Sequence, residues 1–196
     1  VTDEPRIGAV PGEVGTAPDP FGAVPDIVGP SLRVLFCGIN PGLRSAETGR
    51  HFARPGNRFW RVLHAAGFTD RVMSPDQQDE LPALGIGITN LVRRASAAAS
   101  ELSTADLRAG GADLERRVGA LRPGTVAVLG AQAYRTAFRV PRAAIGEQPV
   151  RLAGTRLWVL PNPSGLQARY QLPEMTVLYR HLAAAAGFAP VCGRDG

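Results

Sequence analysis

Residues Val34 to Trp60 read VLFCGINPGLRSAETGRHFARPGNRFW, and the fold is decided in this stretch. Val34-Leu35-Phe36-Cys37 is an unbroken apolar run stopped by Gly38. That is the pattern of a strand covered on both faces of a parallel sheet, although periodicity alone does not separate it from a buried helical segment. In open α/β sheets ligands collect where loops leave the carboxyl ends of strands. The loop here is Gly38-Ile39-Asn40-Pro41-Gly42-Leu43. Pro41 fixes its own φ and biases Asn40 away from the helical region, while Gly38 and Gly42 allow backbone and ligand to approach closely. Asn40 therefore sits in a stiff turn, and turn-making alone is the commoner reason for an isolated Asn-Pro-Gly.

Working outward, five arginines between Arg44 and Arg61 face one acid, Glu47, with Phe52, Phe59 and Trp60 interleaved. Basic residues mixed with aromatics suit a surface that grips phosphate and stacks a base. Phe59, Trp60, Val62, Leu63 and Ala66 recur at helical spacing before Gly67, which predicts a core-facing helix from near Asn57 and leaves Phe52 outside the pattern. Further strands are predicted over Leu84 to Thr89 and Val126 to Gly130, with a hairpin over Pro149 to Leu160. Asp70 to Glu80 reads as a polar connection. Helices are predicted from the Ser103–Asp106 capping box to Leu121, from Ala131 to Phe138, and from Pro173 to Gly187. Gly110-Gly111 is expected to break or kink the first of these, and Arg116 and Arg117 on its polar side read as solvated charges. Alternation of strand and helix predicts a three-layer α/β/α sandwich around a mainly parallel sheet.

At 196 residues with 44% hydrophobic content and a mean hydropathy of −0.03, the chain suits one soluble domain with a sizeable core. Residues 1–30 hold six prolines, five glycines and five acids against Arg6 alone, and read as a disordered acidic arm. Residues 31–189 form the expected domain and 190–196 a tail. The net charge of +5 thus understates the basic character of the folded part, whose positive side chains are all arginine. Cys37 and Cys192 are too few for a four-cysteine iron-sulfur cluster, and no His/Cys spacing suggests zinc, so neither metal nor cofactor is expected. No apolar run is long enough to span a bilayer and no secretion signal is evident, so the expectation is a cytosolic monomer with free thiols.

The string from Gly38 to Trp60 resembles the first motif of the mismatch-specific uracil/thymine-DNA glycosylase family, within the uracil-DNA glycosylase superfamily. The family's second motif, a strand followed by N-P-S-G-L, is matched by Leu160-Pro161-Asn162-Pro163-Ser164-Gly165-Leu166. The resemblance covers roughly residues 32–187. It implies the same α/β/α fold and no cofactor, with double-stranded DNA containing a U:G or related mismatch as partner. It implies that Asn40 orients the attacking water and that Phe52 stacks on the flipped pyrimidine. Gly87-Ile88-Thr89-Asn90-Leu91-Val92 resembles a third element that would aim Asn90 into the same pocket. Ile39 and the small Ser45 would line that pocket, with Ser96 a weaker candidate beside it. Leu166, raised by Asn162, Pro163, Ser164 and Gly165, would be the wedge entering the duplex, with Gly165 and Gln167 reading the widowed guanine. Bacterial relatives carry an arginine two residues after the wedge; this chain has Ala168 there and Arg169 next.

Breaking an N-glycosidic bond passes through a sugar of oxocarbenium character and leaves negative charge on the base. Neither motif holds the carboxylate pair of an ordinary glycosidase, and His51, His64 and His181 have no evident acidic partner. An asparagine amide is no strong base, so the rate gain has to come from positioning and from amides around the leaving pyrimidine. Two rival classes are a non-catalytic DNA-binding protein, for which the rigid Asn40 turn would be purposeless, and a nucleoside hydrolase. The second would need an Asp-rich metal cluster that the sequence lacks.

Overall fold

The computed structural model describes residues 24–188 with the exception of 167. β1 (Val34–Gly38) lies inside the sheet with every residue buried. It pairs in parallel with β2 (Ile86–Asn90) on one side and β3 (Thr125–Leu129) on the other. β4 (Gly146–Leu152) and β5 (Thr155–Leu160) form the hairpin; β5 runs parallel to β3, and β4 closes the edge antiparallel to β5. The order is β2-β1-β3-β5-β4. From β1 the chain first turns to one neighbour and then crosses to the other, so the switch point lies beside β1.

In chain order the helices are α1 (Leu43–Thr48), α2 (Phe59–Ala65), α3 (Thr104–Leu121), α4 (Ala131–Phe138) and α5 (Leu172–Ala185). Successive strand side chains point to opposite faces, so β1 feeds two cores. Val34 and Phe36 pack with Phe59, Leu63, Met175 and Tyr179 from α2 and α5. Leu35 and Cys37 pack with Leu114, Val118 and Tyr134 from α3 and α4. Burying each such side chain contributes about 1.5–3 kcal/mol, which is why unbroken apolar strands require helices on both faces. Burial also pushes the Cys37 thiol up to about 12, so it is protonated and packs as a small hydrophobe.

Four expectations need correction. Gly110 and Gly111 do not interrupt α3, whose helix is continuous. A Cβ on Gly110 would stand 2.4 Å from the Leu91 carbonyl oxygen and one on Gly111 3.1 Å from that of Ala137. The glycines let α3 press onto its neighbours, which offsets a helix-propensity cost of about 1 kcal/mol each. Arg117 is not a solvated charge. Its side chain is 11% exposed and reaches the Asn90 carbonyl at 2.9 Å, the Thr89 hydroxyl, Asp26 at 3.3 Å and Asp113 at 2.8 Å.

The polar connection expected over Asp70 to Glu80 leads into a 3-10 helix, Pro75–Leu84, which takes Leu84 from the strand expected to start there, so that β2 begins at Ile86. The helix's buried Gln78 accepts from the His51 N–H at 2.8 Å and donates to the Gly49 carbonyl at 3.1 Å, steadying the loop after α1. Finally, the arm expected over 1–30 ends earlier than residue 30. Val24 and Ile27 are buried, and Ile27 exchanges two 2.8 Å backbone bonds with Ile88. The Asp26 carboxylate is held by Thr89, Arg93 and Arg117. Average composition over thirty residues hid two apolar anchors and a paired acid. Residues 1–23 and 189–196 lie outside the described residues.

Candidate active site

A cavity of about 610 Å³ opens where loops leave β1, β2 and β5, and it is lined by Ile39, Asn40, Ser45, Phe52, Asn90, Asn162, Ser164 and Leu166 among others. Eight of the side chains singled out in three distant segments therefore share one space.

Asn40 is fixed through its amide nitrogen. Nδ2 donates to the Ser96 hydroxyl at 2.8 Å, the Pro41 carbonyl at 3.1 Å and the Arg94 carbonyl at 3.3 Å. The Ser96 hydroxyl donates its own proton to the Ala98 carbonyl at 2.8 Å, so toward Asn40 it accepts. Three acceptors on one side determine which end of the amide is nitrogen. Among the described residues no group donates to Oδ1, which leaves the amide oxygen as the acceptor available to the cavity. Backbone bonds from Leu91 to the Gly38 carbonyl and from Val92 to the Ile39 carbonyl, both 2.8 Å, lock this turn to the end of β2.

Phe52 has a φ of 54°, a left-handed conformation that costs a non-glycine residue roughly 1–3 kcal/mol. Its ring stacks on the buried Phe59 with centroids 4.0 Å apart and planes 24° apart, so the core backs an aromatic that lines the cavity. Phe52 is half-buried rather than fully exposed. The Ser45 hydroxyl accepts from the Ala53 N–H at 3.2 Å, so Ser45 also shapes the loop that carries Phe52.

His51 was not singled out from the sequence as a site residue, because its partners are a backbone carbonyl and an amide rather than an acid. Nε2 lies 2.8 Å from the Pro25 carbonyl oxygen and must carry the hydrogen, which makes Nδ1 an acceptor for Asn90 Nδ2 at 3.5 Å. Burial lowers the His51 pKa, and the Pro25 bond and Asp26 oppose that shift without reversing it. Asn90 itself is 5% exposed. Its Oδ1 faces Gly38, where a Cβ would come within 2.6 Å of it and 3.4 Å of the Phe52 ring. Gly38 is therefore required for space. Arg54 and Asn57 also line the cavity, the arginine having been visible only as part of a basic run.

On the far wall, Asn162 Oδ1 accepts from the Ser164 N–H at 3.0 Å, and the Ser164 hydroxyl accepts from the Leu166 N–H at 3.3 Å. These two successive side-chain turns lift Leu166 to 69% exposure, unusual for an isolated leucine on a tight polar loop. Gly165 lies beneath it, where a Cβ would be 2.9 Å from the Gly56 carbonyl oxygen. Arg169 faces elsewhere: it lines a second groove of about 500 Å³ with Gly130, Gln132 and Tyr170, and Asn162 and Ile39 form the partition between the two spaces. Gln167 lies outside the described residues. Among the described residues no His/Cys/Asp/Glu group could hold a metal ion, and no helix is long and apolar enough to cross a membrane.

Among solved structures, the chain is similar to the solution NMR structure of a candidate uracil DNA glycosylase from Methanosarcina acetivorans. The TM-score is 0.56 and the identity 19%, over 83% of this chain and 98% of that one. At that identity the likeness speaks for the fold: a five-stranded, mostly parallel sheet between helical layers. The profile of the Uracil DNA glycosylase superfamily matches residues 25–183, from the strap that supports His51 to the helix behind the Leu166 loop. With Asn40, Asn90 and Leu166 brought around one cavity inside that match, the chain belongs to the uracil DNA glycosylase superfamily.

Proposed function

We propose that this DNA glycosylase excises uracil from mismatches with guanine in double-stranded DNA, by flipping the nucleotide and directing water onto the N-glycosidic bond. The orientation of Asn40 carries the reading. With Nδ2 consumed by Ser96, Pro41 and Arg94, Oδ1 accepts a hydrogen bond from a water and aims it at the anomeric carbon. Among the described residues no Asp or Glu lines the cavity, which favours positioning over general-base chemistry. The chain has no lysine, the side chain a Schiff-base lyase step would use, so hydrolysis ends at an abasic site.

In this reading Phe52 stacks on the extruded pyrimidine and Asn90 contacts its polar edge, so that charge developing on the leaving base meets a fixed dipole. Leu166 fills the vacated space, an insertion whose unstacking cost of about a few kcal/mol is recovered from protein contacts. The volume of the cavity and the small Ser45 leave room for ethenocytosine and thymine as further substrates opposite guanine. The chain acts as a monomer in the cytosol.

The test is single-turnover incubation with U:G, U:A, T:G and ethenocytosine:G duplexes and with single-stranded uracil DNA, followed by alkaline scission. U:G is expected to be cleaved fastest. Preference for the single strand would overturn mismatch recognition, and no abasic product on any substrate would overturn glycosylase action.

A further inference from the structure

Among its described residues the Leu166 loop contains no regular structure, yet four of its carbonyl oxygens are tied down by two side chains and one backbone N–H from the body of the protein. Tyr179 on α5 donates its hydroxyl to Pro161 at 3.2 Å. The Arg58 N–H donates to Pro163 at 2.9 Å. The Arg58 guanidinium donates through Nη2 to Ser164 at 2.6 Å and through Nη1 to Tyr170 at 2.7 Å. Arg58 belongs to the first sequence motif, sits immediately before α2 and is 9% exposed.

Burying a guanidinium is expensive unless hydrogen bonds offset the cost, and here its two terminal nitrogens, Nη1 and Nη2, converge on carbonyls at the two ends of the loop that presents Leu166. A planar fork spans two separated acceptors in a way a single ammonium cannot. We infer that Arg58 is the positioning residue of the Leu166 wedge: it sets the height and angle of the leucine against the duplex and thereby governs base-pair opening, with no part in bond cleavage. The inference rests on the proposed role of Leu166.

The experiment compares wild type, Arg58→Met, Arg58→Lys, Leu166→Ala and the Arg58→Met/Leu166→Ala double variant. Each is assayed by single-turnover cleavage of a U:G duplex, by cleavage of uracil inside a three-nucleotide mismatched bubble that is already unstacked, and by 2-aminopurine fluorescence beside the uracil. Arg58→Met is expected to slow the paired duplex about tenfold and the bubble by less than about threefold, with a reduced fluorescence rise. Arg58→Lys, which keeps the charge and loses the fork, should fall between, and serves if the methionine variant does not fold. In the Leu166→Ala background the Arg58 change should cost little more, because coupled residues are non-additive.

Equal losses on duplex and bubble, or full additivity with Leu166→Ala, would overturn the inference and leave Arg58 a general stabiliser. If the wild type cleaves nothing, the glycosylase reading fails by itself. The fluorescence rise still judges Arg58, an unchanged rise in its variants overturning the inference.

Discussion

The loop after β1 and the loop after β5 face each other across one cavity and are built in opposite ways. In the first, side chains are immobilised: Asn40 by three acceptors, Ser45 by a backbone partner, Phe52 by the ring of Phe59 behind it. In the second, the backbone is immobilised from beneath by Arg58 and Tyr179, and the important side chain is left largely exposed. An amide that must aim a water has to be held to within a fraction of an ångström. A wedge needs only a firm base and a free, apolar tip.

If that division holds, changes in the first loop should slow bond cleavage on every DNA substrate, and changes in the second should slow only substrates that must be opened. Asn40→Ala should have the largest effect, roughly 10²–10³-fold on paired and bubble uracil alike, with duplex affinity retained in a gel-shift titration. Cleavage at the parent rate would remove Asn40 from the chemistry. Gly38→Ala should follow, at about 10²-fold, because the new methyl group displaces the Asn90 amide. A crystal structure of the variant should show the Asn90 amide shifted.

Leu166→Ala should slow the U:G duplex about tenfold and scarcely touch the bubble, and a comparable loss on both would erase the contrast between the loops. Ser96→Ala should cost less still, on the order of several-fold, since Asn40 Nδ2 keeps the Pro41 and Arg94 carbonyls.

The smallest effect concerns pH. His51 has a folded pKa below its ordinary 6.5, so the unfolded chain binds the proton more readily. Its contribution to stability is full above pH 6.5 and is lost as pH falls toward the folded value. Protonation also sets a second donor against Asn90 Nδ2. The melting temperature of His51→Gln should therefore depend less on pH than that of the wild type between about pH 6.5 and 5; parallel curves would exclude this histidine.

Much of the layout was legible in advance. Apolar runs without alternation required a sheet covered on both faces, and the two Asn-Pro loops marked the strand ends where a ligand would sit, because Pro, Gly and Asn restrict the chain locally. Placement was harder wherever the partner was distant backbone. His51 looked unsupported because the Pro25 carbonyl has no signature in a side-chain code, and Arg117 looked solvated because Asp26 lies ninety-one residues away in a segment that reads as a disordered arm. Gly110 and Gly111 read as a break because propensity registers only what a glycine lacks.

The sequence by itself thus determined the order of strands and helices, the basic and lysine-free surface, and the chemical identity of the groups at each loop. Only the tertiary structure decided which of those groups meet. Side-chain type and spacing act over a few residues, whereas the hydrogen bonds that aim Asn40, turn Asn90 and anchor the Leu166 loop to Arg58 and Tyr179 exist only after parallel pairing has brought the ends of β1, β2 and β5 together.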